Sequence, residues 1–145
     1  ARHSDIPRMI ELGKMMHEES IFSPFEYNES KVTSLIEALI DTRLGIALVV
    51  DDGANIQGGF IGSVYPHWFG SDLQATDYAL FIAPEYRKGT TAVKLIKAYI
   101  KAAQEIGANQ IMIANSTGYE PERVAQLFEA FGFKKRGYVF EFQPN

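Results

Sequence analysis

The sequence predicts one α/β domain in which a mixed sheet carries helices on its faces. Three observations lead there. Four stretches place apolar residues at helical spacing, and short apolar runs bounded by Gly, Pro, Asp and Asn lie between them. The resulting order is helix, helix, three strands, helix, strand, helix, two strands. At 145 residues and 46% hydrophobic content, the chain suits a single domain that buries about two thirds of its unfolded surface. No repeat, low-complexity tract or linker divides residues 1–145.

The first helix is expected from about Ser4 to Glu19, because Ile6, Met9, Ile10, Gly13 and Met16 share a face. Ser4 is placed to cap it, and Pro7 is tolerable in its first turn. Ser20 to Tyr27 lacks a period and contains Pro24, so it reads as an aromatic-rich loop. Asn28 then caps a helix striped by Val32, Leu35, Ile36, Leu39 and Ile40 that ends before Gly45. Ile46–Val50 is a short strand, and Asp51-Asp52-Gly53-Ala54-Asn55 is turn chemistry. Ile56–Val64 returns as the second arm, where Gly58, Gly59 and Gly62 point to a bulge or a close backbone approach.

The loop Tyr65–Ser71 leads to a strand over about Ala75–Ala83, which Pro84 stops. Thr91–Ile106 is a helix with Leu95, Ile96, Tyr99 and Ala103 inward and Gly107 as its stop. Gln110–Ala114 reads as a buried strand. Pro121 opens a helix carrying Val124, Leu127, Phe128 and Phe131. A hairpin of Phe133–Arg136 and Tyr138–Phe142 around Gly137 closes the chain.

Composition narrows the function. Without Cys, disulfides, thiolate nucleophiles and Cys-ligated metals are excluded. A net charge of −4 argues against nucleic-acid binding, since such domains are normally basic. No apolar run approaches the ~18–20 residues that span a bilayer, and the start does not resemble a signal peptide. A soluble, cytoplasmic protein without a membrane or nucleic-acid partner is therefore expected. His3, His17 and His67 are isolated, so no metal site is expected, and no G-x-S-x-G elbow exists.

The segment Leu80-Phe81-Ile82-Ala83-Pro84-Glu85-Tyr86-Arg87-Lys88-Gly89-Thr90-Thr91-Ala92-Val93-Lys94-Leu95-Ile96 carries the chemistry. It joins a strand to a long helix through a loop with Gly and two adjacent cations. The first amides of a helix lack intrahelical partners and its dipole is positive there, so the turn can cradle a phosphate or pyrophosphate. Read on physics alone, Arg87 and Lys88 serve equally as phosphate ligands or as solvated surface charges.

Leu80, Ile82, Pro84, Arg87, Ala92 and Leu95 fall at the intervals of L-x-V-x-P-x-x-[RQ]-x-x-G-x-[GA]-x-x-L. This resembles the coenzyme A loop of the GNAT superfamily of acyl-CoA N-acyltransferases. Gln126-Leu127-Phe128-Glu129-Ala130-Phe131-Gly132-Phe133 resembles that family's late L-Y-x-x-x-G-F motif, and the order of elements follows the family along nearly the whole chain. The family's first strand would lie before Ala1. The resemblance implies a mixed, mostly antiparallel sheet with about four helices. It also implies transfer of an acetyl or other acyl group from acetyl-CoA directly to a primary amine in a ternary complex.

The implied cofactor-binding residues are Phe81, Ile82, Ala83, Arg87, Lys88, Gly89, Thr90, Thr91, Ala92 and Asn115. In the family, strand amides corresponding to Phe81–Ala83 polarise the thioester carbonyl and hold the pantetheine arm. Asp77 is the acidic group of that strand and becomes the candidate base; a solvent-facing or turn-capping Asp is the plain alternative. Two departures stand out. Thr90 occupies a position usually held by Gly, with Gly89 one place earlier. Phe128 occupies that of a tyrosine which often protonates the departing thiolate, and Phe cannot donate a proton. Tyr138 is the acid assigned instead, with Tyr119 and Ser116 as alternatives by position.

For the acceptor, aromatic loops at Ile21–Tyr27 and Tyr65–Ser71 nominate Phe25 and Trp68, with Glu18 and Glu19 nearby. Half-buried packing is the competing role for these rings. The expected partners are acetyl-CoA and an amine, with homodimer formation left open. The rival reading is a GNAT-like domain with weakened catalysis that serves as a coenzyme A-binding or structural module.

Overall fold

The computed structural model describes residues 1–115 and 117–144. Its elements run α1 (Ile6–Glu19), α2 (Glu29–Asp41), β1 (Gly45–Asp51), β2 (Ile56–Pro66), β3 (Leu73–Ile82), α3 (Thr91–Ile106), β4 (Gln110–Ile111) and α4 (Pro121–Ala130). The sheet order is β1-β2-β3-β4. The first two pairings are antiparallel and β3 pairs with β4 in parallel. Among the described residues no helix is long and apolar enough to cross a membrane.

Each face of the sheet has its own core. Ile6, Met9 and Leu12 of α1 and Ile36 and Leu39 of α2 close over Ile61, Phe81 and Ala83. On the opposite face Leu95, Tyr99 and Ala103 of α3 cover Ile46, Phe60, Val64 and Ala75. The α2 and α3 sets match the predicted stripes, whereas α1 buries Leu12, outside its predicted face, and leaves Ile10 and Met16 only partly buried. The Asn28 side chain accepts from the Lys31 N–H at 3.0 Å, as a cap should. Gly107 stops α3 at φ 102°, a left-handed conformation that suits glycine.

The bulge anticipated from the glycines of β2 lies opposite them. Ile61 pairs with Ala79 and Gly62 with Asp77, so Tyr78 of β3 is the extra residue. A Cβ on Gly62 would sit 2.5 Å from the Thr76 carbonyl oxygen, which explains the glycine there. The extra residue reverses the strand's alternation. Leu73 and Ala75 face α3 before it, and Leu80 and Ile82 face α3 after it. Ala79 and Phe81 turn to the α1 side.

Three expectations fail locally. A short 3-10 turn at His3–Asp5 precedes α1, so Asp5 rather than Ser4 takes the cap position. β4 has two residues, not five, because it leaves β3 soon after Ala75. The closing hairpin is absent: residues 133–144 carry no regular secondary structure. Its two arms were separated by Gly137 alone, fewer than the two residues of the tightest common hairpin. Lys134, Lys135 and Arg136 also place three like charges in a row beside it. An isolated two-stranded hairpin is marginal in water even without such repulsion.

Candidate active site

The parallel ladder between β3 and β4 joins only Gln74 to Gln110 and Ala75 to Ile111. One further bond runs from the Met112 N–H to the Ala75 carbonyl at 2.9 Å. Beyond it the two segments diverge, and a cleft of about 540 Å³ opens between them. β3 contributes Asp77 to Ile82 to its wall, and Ile113 to Asn115 face them. The end of α1, the start of α3 and one side of α4 complete it.

Asp77 sits in the fork. Its Oδ1 accepts the Ala114 N–H at 2.9 Å, so a side chain spans the gap that the backbone ladder leaves. Burial pushes its carboxyl above the usual value of 3.8, partly offset by that N–H. Asp77 belongs to the α3-facing phase of β3, and its charge helps to hold the Tyr99 phenol up, after burial as the larger cause. Asp77 is half-buried, between the solvent-facing alternative and a core position.

Alternation decides which β3 amides reach the cleft. The Ala83 N–H donates to Gln57 O at 2.9 Å, so in an antiparallel pair Phe81, in register with Gly59, also directs its backbone groups to β2. Leu80 and Ile82 have the outward phase. Of the three strand amides nominated, only that of Ile82 faces the cleft, and Leu80 was missed. Strand parity could have named it, had the bulge at Tyr78 been legible.

The loop after β3 forms as expected, through a short 3-10 turn at Pro84–Tyr86. The first intrahelical bond of α3 runs from the Lys94 N–H to Thr90 O at 3.0 Å. Thr90 makes no side-chain cap, so the amides of Thr91, Ala92 and Val93 precede the ladder. Gly89 and Ala92 line the cleft. The Thr91 hydroxyl is buried and donates to Gln57 Oε1 at 2.9 Å, which gives its side chain a structural task. Lys88 is exposed.

Arg87 is engaged in a way that the sequence did not reveal. Its Nη1 and Nη2 donate to Glu19 at 2.6 and 3.0 Å, and its Nε donates to Ile82 O at 3.1 Å. The Tyr119 ring centroid lies 5.3 Å from its guanidinium carbon. Asn115 Nδ2 donates to Pro121 O at 2.8 Å, tying the β4 exit to the start of α4. Phe128 is buried on the cleft side of α4.

The remaining nominees are not gathered here. Tyr138 is 74% exposed, and its ring lies against Lys135 and Phe140 rather than in the cleft wall. Its predicted position depended on the hairpin that does not form. Phe25 (66% exposed) and Trp68 (94% exposed) do not line the cleft either. Trp68 packs edge-on against Phe69, which stacks on His67 in the β2–β3 turn. From the first aromatic loop, Phe22 lines the cleft instead. Tyr27 turns back onto α1, donating to Ile10 O at 3.0 Å, and burial pushes its phenol up to about 12. Tyr119 lines the cleft; Ser116 lies outside the described residues.

A splayed sheet edge, a helix start without a side-chain cap and a half-buried carboxylate at the fork meet in one cleft. Residues 12–133 match the Acetyltransferase (GNAT) family model. The chain belongs to the GNAT acetyltransferase family and is an N-acetyltransferase of that type.

Solved structures agree in fold. An aminoglycoside acetyltransferase from an uncultured soil metagenomic sample aligns with a TM-score of 0.73 at 17% identity, covering 100% of this chain and 95% of that one. AAC(6')-Iy, in complex with a bisubstrate analogue, gives 0.76 at 14% identity over 98% and 92%. A Trypanosoma brucei acetyltransferase gives 0.73 at 14% identity over 99% and 96%. At these identities the likeness is one of fold. No curated protein gives a significant match to the chain.

Proposed function

We propose that the protein moves an acetyl group from acetyl-CoA directly to a primary amine, with both bound together in the cleft beside β3. The observation that carries this reading is the fork itself. Outward backbone groups of Leu80 and Ile82 face a cleft whose wall includes one half-buried carboxylate, Asp77. GNAT acetyltransferases use acetyl-CoA, and the donor set here suits it. The amides of Thr91, Ala92 and Val93, with Gly89 allowing close approach and Lys88 adding charge, match a pyrophosphate. The open edge of β3 matches an extended, amide-bearing arm. Asn115 borders the same arm through its place on the opposite wall.

Bound acetyl-CoA supplies an activated acyl group as a thioester. The chain's own residues do the rest. The Ile82 N–H polarises the carbonyl. Asp77, ionised, takes the proton from the acceptor ammonium and leaves the neutral amine that attacks. Tyr119 takes over from Tyr138 as the acid, since it is the phenol among the nominated acids that borders the cleft. Phe22 and Met16 receive the apolar part of the acceptor. No residue offers itself as a covalent acyl carrier, which favours direct transfer.

Phe128 favours a second reading, a domain that binds coenzyme A without turning over. Thiol release from acetyl-CoA, measured with a panel of primary amines, separates the two. Amine-dependent release supports the transferase; coenzyme A binding without release from any amine supports the module.

A further inference from the structure

Arg87 occupies the loop position where a cation reads as a phosphate ligand, yet its fork is already committed. Both terminal nitrogens meet the Glu19 carboxylate, and Nε meets the carbonyl of Ile82. The pair is partly shielded, with side-chain exposures of 22% for Arg87 and 38% for Glu19. Its hydrogen bonds are the leading reason the guanidinium is held even more firmly protonated than usual.

Charge-assisted bonds of this kind are stronger than neutral ones, and a fork matched to a carboxylate adds orientation. An incoming phosphate would have to displace Glu19 and leave that carboxylate unpaired beside a second anion. Lys88, by contrast, is exposed and makes no ion pair among the described residues.

Arg87 also joins three parts of the cleft wall. It reaches the end of α1 through Glu19, the end of β3 through Ile82, and the segment before α4 through Tyr119. The Ile82 carbonyl belongs to the Ile82–Ala83 peptide, so fixing it fixes the plane next to the peptide that carries the cleft-facing Ile82 N–H.

We infer that Glu19 is a positioning residue. Acting through Arg87, it sets the Ile82 peptide and the Tyr119 ring, and Lys88 rather than Arg87 meets the anionic end of the acyl carrier. This rests on the acetyl-CoA reading above. An Arg→Lys change is not conservative at such a site, because one ammonium cannot span a carbonyl and both carboxylate oxygens.

The test is calorimetric titration of coenzyme A into the parent protein and into Glu19→Gln, Glu19→Asp, Arg87→Lys, Glu19→Gln with Arg87→Lys, and Lys88→Ala, each at two salt concentrations. Thermal unfolding of each variant accompanies it. Glu19→Gln and Arg87→Lys are expected to weaken binding by a similar factor, about fivefold, with the double variant no worse than either alone. Glu19→Asp, which keeps the charge but shortens the reach, shows the same loss. The salt dependence stays at the parent value in these variants and falls only in Lys88→Ala. Tighter or unchanged binding by Glu19→Gln, or a reduced salt dependence in Arg87→Lys, would overturn the inference while leaving the cofactor reading intact. A parent protein that binds no coenzyme A would instead overturn the cofactor reading, and this inference with it.

Discussion

Asp77 is a carboxylate in a place where ionisation is costly and useful at once. Burial raises its pKa above 3.8, so the folded protein binds this proton more tightly than the unfolded chain does. Its contribution to stability is therefore full below the unfolded value and is lost as pH rises through the folded one. Catalysis runs the other way, since only the ionised form accepts the ammonium proton. Activity should rise with pH through that same raised pKa. Asp77→Asn keeps an oxygen for the Ala114 N–H, so it should fold, lose this pH dependence of stability and reduce turnover by about 10²-fold or more. Unfolding midpoints and thiol-release rates across pH check both signs.

A second substitution at this scale probes the missing phenol. Phe128→Tyr should leave coenzyme A affinity unchanged and raise turnover only if thiolate protonation by Tyr119 limits the rate, at about 1–2 kcal/mol of stability for a buried hydroxyl. Paired rate and denaturation measurements would show both effects. Asp77 was legible because it is the acidic residue on its strand. Its partial burial was not, since that depends on where β4 leaves β3. Glu19 was visible only as one of two acids ending a helix, and its bidentate pairing with Arg87 spans 68 positions.

Among the elements, helices were the most legible, because apolar stripes such as Leu95, Ile96, Tyr99 and Ala103 state both the period and the buried face. Strand edges were less so. One extra residue at Tyr78 reverses the phase of β3, and nothing in its side chain marks the bulge. With that residue in place, only Ile82 of the nominated Phe81, Ile82 and Ala83 turns its amide to the cleft, and Leu80 joins it. Loops were the least legible. Aromatic content alone could not tell Phe22, which lines the cleft, from Phe25 and Trp68, which do not. Phe22→Ala should therefore raise the acceptor KM with coenzyme A affinity within about twofold, as loss of uniform acceptor binding does. Trp68→Ala and Phe25→Ala should leave that KM unchanged and stability within about 0.5 kcal/mol, as exposed sites allow. Initial rates over a range of amine concentrations distinguish the three.

At the scale of the molecule, two cores grip one sheet from both faces, and the cleft opens where the sheet comes apart. That arrangement packs α3 onto the sheet through Leu95, Tyr99 and Ala103 while its first turn presents amides to the cleft. In the proposed reaction this cleft receives acetyl-CoA. Thermal unfolding over a coenzyme A titration tests it most directly, because any ligand bound only to the folded state stabilises it by mass action. The predicted result is a midpoint that climbs with ligand concentration, by about 5–10 °C at a hundredfold excess over Kd. The climb should be abolished when Ala92→Trp fills the cleft beside the α3 start. A midpoint that does not move with coenzyme A, or that moves equally in Ala92→Trp, would contradict it.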